Sequence, residues 1–157
     1  MSNHQGTTMT QKLHLEDLKI GDVFKSDAYA ITTEEIKAFA EHYDPQPFHL
    51  DEEAARDTFF QGLAASGWHI CAITMRLFVG SVPIAGGIIG AGSDVSWPQP
   101  TRPGDVLHVE STILDITPSK SKPDRGIVTI QSDTFNQRGE RCQRAVSKVL
   151  AFVRSQG

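Results

Sequence analysis

The spacing of hydrophobic residues changes midway along the chain, from a helical period to the alternation typical of strands. Strand-like segments around Val23 and Tyr29 come first. Apolar residues then recur at the spacing of one helix face: Ile36, Phe39, Ala40 and Tyr43. Thr32 and Glu35, three residues apart, fit a capping box. The pattern therefore predicts a helix from Thr32 to Tyr43.

Two prolines end that helix and stiffen the segment after it. Pro45 and Pro47 lack backbone donors and push the residues before them away from helical angles. Residues 44–48 are therefore predicted to form an extended connector. A second, short helix is predicted to begin near Asp51, whose side chain can cap it.

The middle of the chain is apolar on nearly every side and then gives way to short alternating segments. The stretch from Trp68 to Val79 is typical of a buried helix. Beyond Gly90, strands are predicted near residues 93–97, 105–116, 125–136 and 141–153. One buried helix beside a mainly antiparallel sheet is an α+β fold.

Length and charge narrow the class of protein. The 157 residues suit a single domain with a real core, expected at residues 14–155 after a disordered lead at 1–13. The formal net charge of −4 argues against nucleic acid or an anionic membrane as the main partner. Two distant cysteines, Cys71 and Cys142, make no disulfide framework. With no apolar run of membrane-spanning length and no signal core, a cytoplasmic protein is expected.

The proline-stiffened connector carries the strongest chemical signal, a carboxylate and an imidazole five residues apart. On a continuous helix these side chains would point away from each other, whereas on a bent connector Asp44 and His49 can converge. Such a pair can act as acid and base near neutral pH. The alternative is that Asp44 caps a helix end and His49 is an ordinary histidine.

A second signal, Ala65-Ser66-Gly67, stands directly before the predicted buried helix. Amides at a helix N-terminus are unpaired and carry positive potential, and glycine lets a ligand come close to them. This end could hold a thioester oxygen as negative charge builds on it. The alternative is that Gly67 only permits a tight turn into the helix.

Together these residues resemble the MaoC-like family of hot-dog proteins, which includes the (R)-specific enoyl-CoA hydratases. The family's motif is an aspartate, a proline soon after it, and a histidine five residues on. Here it reads Asp44-Pro45-Gln46-Pro47-Phe48-His49. The family's glycine at the start of a long central helix falls on Gly67, and residues 100–105 resemble a family turn. The resemblance spans residues 15–153.

The resemblance implies a single hot-dog domain, with a five-stranded antiparallel sheet wrapped around one long helix. It implies a homodimer through joined sheets, with a dimer of dimers or a larger assembly as alternatives. The implied reaction adds or removes water across a trans-2-enoyl-CoA thioester. Asp44 and His49 would activate the water, while Gly67 and Ser66 would bind the thioester oxygen. Coenzyme A enters as part of the substrate, so no separate cofactor is implied, and no histidine spacing suggests a metal site.

Other residues are expected around the substrate. Pocket positions are predicted at Gln46, Pro47, Phe48, Trp68, His69 and Trp97. Three basic residues of one loop could meet the phosphates of coenzyme A, or simply be solvated: Lys120, Lys122 and Arg125. Gln46 and Ser66 depart from the asparagine and histidine common in hydratases, and the stretch from Ser66 to His69 resembles a bacterial branch of acyl dehydratases.

Two other functions stay open. A hot-dog thioesterase could use the same scaffold, but those enzymes usually carry their acid on the central helix, and residues 68–79 contain no Asp or Glu. The third possibility is a non-catalytic acyl-thioester binding module, against which the intact pair of Asp44 and His49 argues.

Overall fold

The computed structural model describes residues 11–155, in which one long helix lies against an antiparallel sheet. A 3₁₀ turn at Leu15–Asp17 precedes the first strand. Four α-helices follow in chain order: α1 Thr33–Tyr43, α2 Pro47–Leu50, α3 Glu52–Ala55 and α4 Gly67–Ser81. None of the described helices is long and apolar enough to cross a membrane.

The predicted starts of α1 and α3 are correct, because a local side chain accepts from the free amides at both N-termini. The Thr32 hydroxyl accepts from the Glu35 N–H while the Glu35 carboxylate accepts from the Thr32 N–H. Asp51 accepts from the amides of Glu53 and Ala54 and so caps α3.

The prediction of an extended connector over residues 44–48 is only half correct. Residues 44–46 lie outside the helices and Gln46 is extended, but Pro47 opens the single turn of α2. The two prolines act differently: Pro45 cannot continue α1, whereas Pro47 stands at the first helical position, where its missing N–H costs nothing and its fixed φ suits the helix.

The sheet contains six strands instead of the five predicted. Their bounds are β1 Val23–Lys25, β2 Tyr29–Ala30, β3 Ile89–Ser96, β4 Val106–Pro118, β5 Arg125–Phe135 and β6 Arg141–Phe152. The order is β1-β4-β5-β6-β3, and β2 also pairs with β4.

The extra strand arises because one edge strand is split. Both β1 and β2 pair with β4, at Lys25↔Glu110 and Tyr29↔Leu107. Between them, the Ser26 N–H donates to the Val109 oxygen, and the Val109 N–H donates to the Ser26 hydroxyl instead of to a backbone oxygen. A side chain therefore replaces one ladder partner and interrupts the strand.

The hydrophobic core lies between α4 and the sheet. Strand β5 alternates buried and half-buried residues along its length, so that one face turns to the helix. Phe78 packs with Ile130 at one end of α4, and Ile70 packs with Leu107 at the other. Leu13 pairs with Ile84 and packs against the cluster that contains Phe78 and Ile130, so the packed structure begins within the predicted lead at 1–13. Residues 1–10 lie outside the described part.

Helix α4 is less enclosed than its sequence predicts. Trp68, Met75 and Val79 are 64%, 51% and 54% exposed, although the pattern indicated burial on nearly every side. Apolar periodicity cannot distinguish a residue of the core from one on a face that this single chain leaves uncovered.

Candidate active site

The bend between α1 and α2 brings the two predicted catalytic residues together. Asp44 ends α1, where its N–H donates to the Ala40 oxygen, and His49 projects from the single turn of α2. The Oδ2 atom of Asp44 lies 3.3 Å from Nε2 of His49. An acid and a base at this separation can share a proton directly, and one water molecule placed beside them can contact both.

The imidazole of His49 is held in one orientation. Its Nδ1 atom lies 2.6 Å from the Ala64 carbonyl oxygen, and because a carbonyl only accepts, Nδ1 carries a proton. In the neutral ring Nε2 is therefore the basic nitrogen, and it faces Asp44. The residue is only 4% exposed, with the Phe48 ring packed edge-on at 4.6 Å.

The carboxylate of Asp44 accepts hydrogen bonds on both oxygens. Gln46 Nε2 donates to Oδ1 at 2.5 Å, and Ser66 Oγ donates to Oδ2 at 2.7 Å. Partial burial raises the pKa of Asp44, but these two bonds and the charge of His49 outweigh it, so the pKa lies below its usual value.

The start of α4 presents uncapped amides beside this pair. Ser66 occupies the N-cap position, yet its hydroxyl makes no hydrogen bond to the first turn. Gly67 is required sterically, because a Cβ atom there would lie 2.6 Å from Cε2 of Trp97. The indole N–H of Trp97 donates to Gln143 Oε1 at 2.9 Å, which fixes the ring over the glycine.

Asp44, His49 and Gly67 line one cleft of about 620 Å³. Four of the predicted pocket residues also line it: Gln46, Phe48, Trp68 and Trp97. The sequence analysis missed Phe59, Phe60, Thr101 and Cys142, which the fold brings to the same cleft. Adjacent aromatics in a loop were the signal for Phe59 and Phe60; Thr101 and Cys142 reach the cleft through tertiary contacts that no local pattern records.

Three predicted site residues do not line the cleft. Ser66 is fully buried and is not among the cleft-lining residues; its hydroxyl faces Asp44, not the space for a thioester. Pro47 and His69 are also absent from the lining. The His69 ring stacks on Phe39 at 4.6 Å, and burial lowers its pKa.

The predicted basic residues are far from this cleft within one chain. Lys120, Lys122 and Arg125 lie in and after the β4–β5 connection, whereas the cleft residue Thr101 precedes the other end of β4. The 13 residues of β4 span roughly 40 Å at about 3.3 Å per residue. Arg125 also pairs with Asp124 at 2.9 Å. The structure therefore places these residues beyond the opposite end of β4 from the cleft.

Two other features do not qualify as the active site. A depression of about 1140 Å³ lies beside Asp124 and Arg154, but their charges are neutralised by Arg125 and by Glu16. Ligand atoms of His14, Glu16 and Asp17 lie within 4.8 Å of one another. Arg154 donates to both carboxylates, so a guanidinium already provides the positive charge there.

A long helix packed on an antiparallel sheet defines a hot-dog protein, and the comparisons identify its family. The model of the FAS1-like dehydratase domain region matches residues 19–144. A MaoC-like dehydratase from Rhodospirillum rubrum is 64% identical, with a TM-score of 0.91 over 92% of this chain and 99% of the other. The protein YdeM of Bacillus subtilis is 33% identical over 129 residues, 80% of this chain and 89% of the relative.

A more distant structure shares the fold. The R-hydratase PhaJ1 from Pseudomonas aeruginosa is 24% identical, with a TM-score of 0.75 over 91% of this chain and 88% of the other. The chain belongs to the MaoC-like dehydratase family, which confirms the resemblance inferred from the motif and the α+β hot-dog class.

Proposed function

We propose that this protein is an acyl-CoA hydratase/dehydratase, a hydro-lyase that adds or removes water across a trans-2-enoyl thioester. The observation that carries the proposal is the approach of Asp44 Oδ2 to His49 Nε2, at 3.3 Å, in the cleft that Gly67 also lines. Membership of a dehydratase family supports this reaction class. We expect a cytoplasmic enzyme that needs no metal and no cofactor beyond the coenzyme A of its substrate.

In the proposed reaction, one water molecule is bound by Asp44 and His49. One member of the pair takes a proton from water as the oxygen adds to the β-carbon, and the pair returns a proton to the α-carbon. The thioester oxygen gains negative charge in between, and the free Gly67 N–H at the start of α4 would stabilise it. Loss of such a donor typically lowers turnover by about 10²–10³-fold.

An apolar groove beside the cleft gives room for an acyl group. It has a volume of about 380 Å³ and lies between α4 and β3. Trp68 lines both the groove and the cleft, so a chain bound at Gly67 could pass from one to the other. We place the coenzyme A side of the substrate at the open cleft and the acyl side toward this groove.

The proposed pair is tested by two nearly isosteric substitutions. Asp44→Asn and His49→Gln are each expected to lower kcat for crotonyl-CoA hydration by at least about 100-fold, because each removes one partner of the acid–base pair. The measurement is the loss of enoyl absorbance, with longer and branched enoyl-CoAs in parallel.

The exposed α1 residue His42 is the control, and His42→Gln should retain full activity. Unchanged turnover in both cleft variants would reject the pair. Release of free thiol from acyl-CoAs would indicate a thioesterase, and acyl-CoA binding without turnover would indicate a binding module.

A further inference from the structure

Ser66 occupies a position where a serine normally caps a helix, but it does not do so. An N-cap hydroxyl usually accepts from an amide of the first turn, and no such bond is made at the start of α4. The hydroxyl donates instead to Oδ2 of Asp44 at 2.7 Å, across 22 positions of sequence. Ser66 is fully buried, so its end of this bond is shielded from water, while Asp44 remains partly exposed.

The bond to Ser66 constrains the oxygen of Asp44 that faces the imidazole. Oδ2 accepts from Ser66 and lies 3.3 Å from Nε2 of His49, while Oδ1 accepts from Gln46 at 2.5 Å. Hydrogen-bond donors on both oxygens favour the ionised form and fix the carboxylate plane. A carboxylate in this environment is a weak base but an effective partner for a transient imidazolium.

We propose that Ser66 is a positioning residue that holds Asp44 as a fixed anion beside His49, so that His49 Nε2 carries the proton during turnover. This role differs from the thioester contact predicted from sequence, and it rests on the proposed function. The same contact has a second effect. Because the Ser66 hydroxyl turns toward Asp44, the first amides of α4 stay free for the substrate.

In this assignment His49 alone accepts and returns the proton. Nε2 takes a proton from water as the water oxygen bonds to the β-carbon and the π electrons move to the thioester oxygen. The imidazolium then returns that proton to the α-carbon as the enolate collapses, and neutral His49 is regenerated. Asp44 stays ionised throughout and stabilises the imidazolium.

Of the described titratable groups around Asp44, His49 is the one that forms an ion pair with it. His49 faces it from α2 at 3.3 Å. Tyr43 of α1 is exposed; His69 of α4 stacks on Phe39, and burial lowers its pKa. Burial raises the pKa of the Cys142 thiol from β6, which therefore stays neutral in the shared cleft. Among residues 11–155, no Lys or Arg forms an ion pair with Asp44.

The test compares the titration of Asp44 in Ser66 variants. The side-chain carboxyl is followed by ¹³C NMR in the full-length protein and assigned with Asp44→Asn. In Ser66→Ala the Asp44 pKa should rise, because a hydrogen bond to the charged form is lost. Ser66→Thr keeps the hydroxyl and should restore the wild-type titration, and Ser66→Cys, a weaker donor of similar size, should give an intermediate value.

Kinetics on crotonyl-CoA provide the second measurement. Ser66→Ala should lower kcat by about 100-fold through misplacement of the pair, with KM nearly unchanged. Ser81→Ala is the matched control, since that hydroxyl donates to Leu77 O at the other end of α4 and should change neither measurement.

The outcomes separate this proposal from the proposed function. An unchanged Asp44 titration in Ser66→Ala, or an equal change in Ser81→Ala, overturns the positioning role even if the wild type hydrates crotonyl-CoA. A shifted titration in a protein that turns over no enoyl-CoA supports the positioning of Asp44 and rejects only the hydratase assignment.

Discussion

At the scale of single residues, the local surroundings of each ionisable side chain decide its protonation. Asp44 keeps its charge because two side chains donate to it, whereas His69 is buried beside an aromatic ring. Among the described residues, no hydrogen-bond partner lies within reach of its Nδ1 atom. These two environments favour an anion in one case and a neutral ring in the other.

The buried His69 should make the protein less stable in mild acid. Because burial lowers its folded-state pKa, the unfolded chain takes up a proton from about pH 6.5 downward while the folded chain does not. The stabilisation is therefore complete above pH 6.5 and decreases as pH falls toward the folded-state pKa, by at most about 1.4 kcal/mol per pH unit.

Substitution of His69 by phenylalanine tests this expectation. His69→Phe retains an aromatic ring against Phe39 and removes the titration, so its urea midpoint should fall less than that of the wild type between pH 7.5 and 5.5. His42→Gln, at an exposed site, serves as the control. Parallel losses in wild type and His69→Phe would contradict the assignment.

At the scale of elements, local signals were readable from sequence and long-range ones were not. The capping box at Thr32 and the cap at Asp51 are local, and both were predicted. The split edge strand at Ser26 depends on a neighbour distant in sequence. The helical role of Pro47 is local, but a proline can either end a helix or open one, and the pattern did not distinguish the two. The proximity of Asp44 and His49 was predictable because prolines restrict the chain between them. The bond from Ser66 to Asp44 spans 22 positions and leaves no sequence signal.

The contact between Gly67 and Trp97 predicts a strong coupling between the start of α4 and the segment after β3. Gly67→Ala places Cβ 2.6 Å from the indole, so the ring must move and leave Gln143. We expect a loss of about 1–3 kcal/mol in the free energy of unfolding, measured by urea denaturation followed by circular dichroism.

Gly67→Ala should lower the free energy of unfolding much less where the indole is absent. In a Trp97→Ala background, Gly67→Ala removes no contact with the ring, and the double-mutant cycle should show a coupling of about 1 kcal/mol or more. Additive losses would mean that the ring moves aside without cost, and the steric requirement for glycine would then be rejected.

At the scale of the whole molecule, one side of the chain has the character of an interface. Strand β3 ends the sheet, with β6 as its paired neighbour among the described strands. It is eight residues long and largely exposed, and an open edge of this length invites pairing with another chain. The exposed apolar residues Trp68, Met75 and Val79 lie on the adjoining helix α4. We therefore propose a homodimer in which a second copy covers both features.

A charge on the α4 face should break this dimer. Val79 is 54% exposed in the single chain and does not line the cleft or the groove, so Val79→Glu would place an unpaired carboxylate in the interface without altering the site. Light scattering at micromolar concentration should give twice the chain mass for the wild type and the chain mass for the variant. Ile20→Glu, at a residue 65% exposed before β1, is the matched control and should stay dimeric. A monomeric wild type would refute the proposal, and dissociation in both variants would show that the α4 face is not its cause.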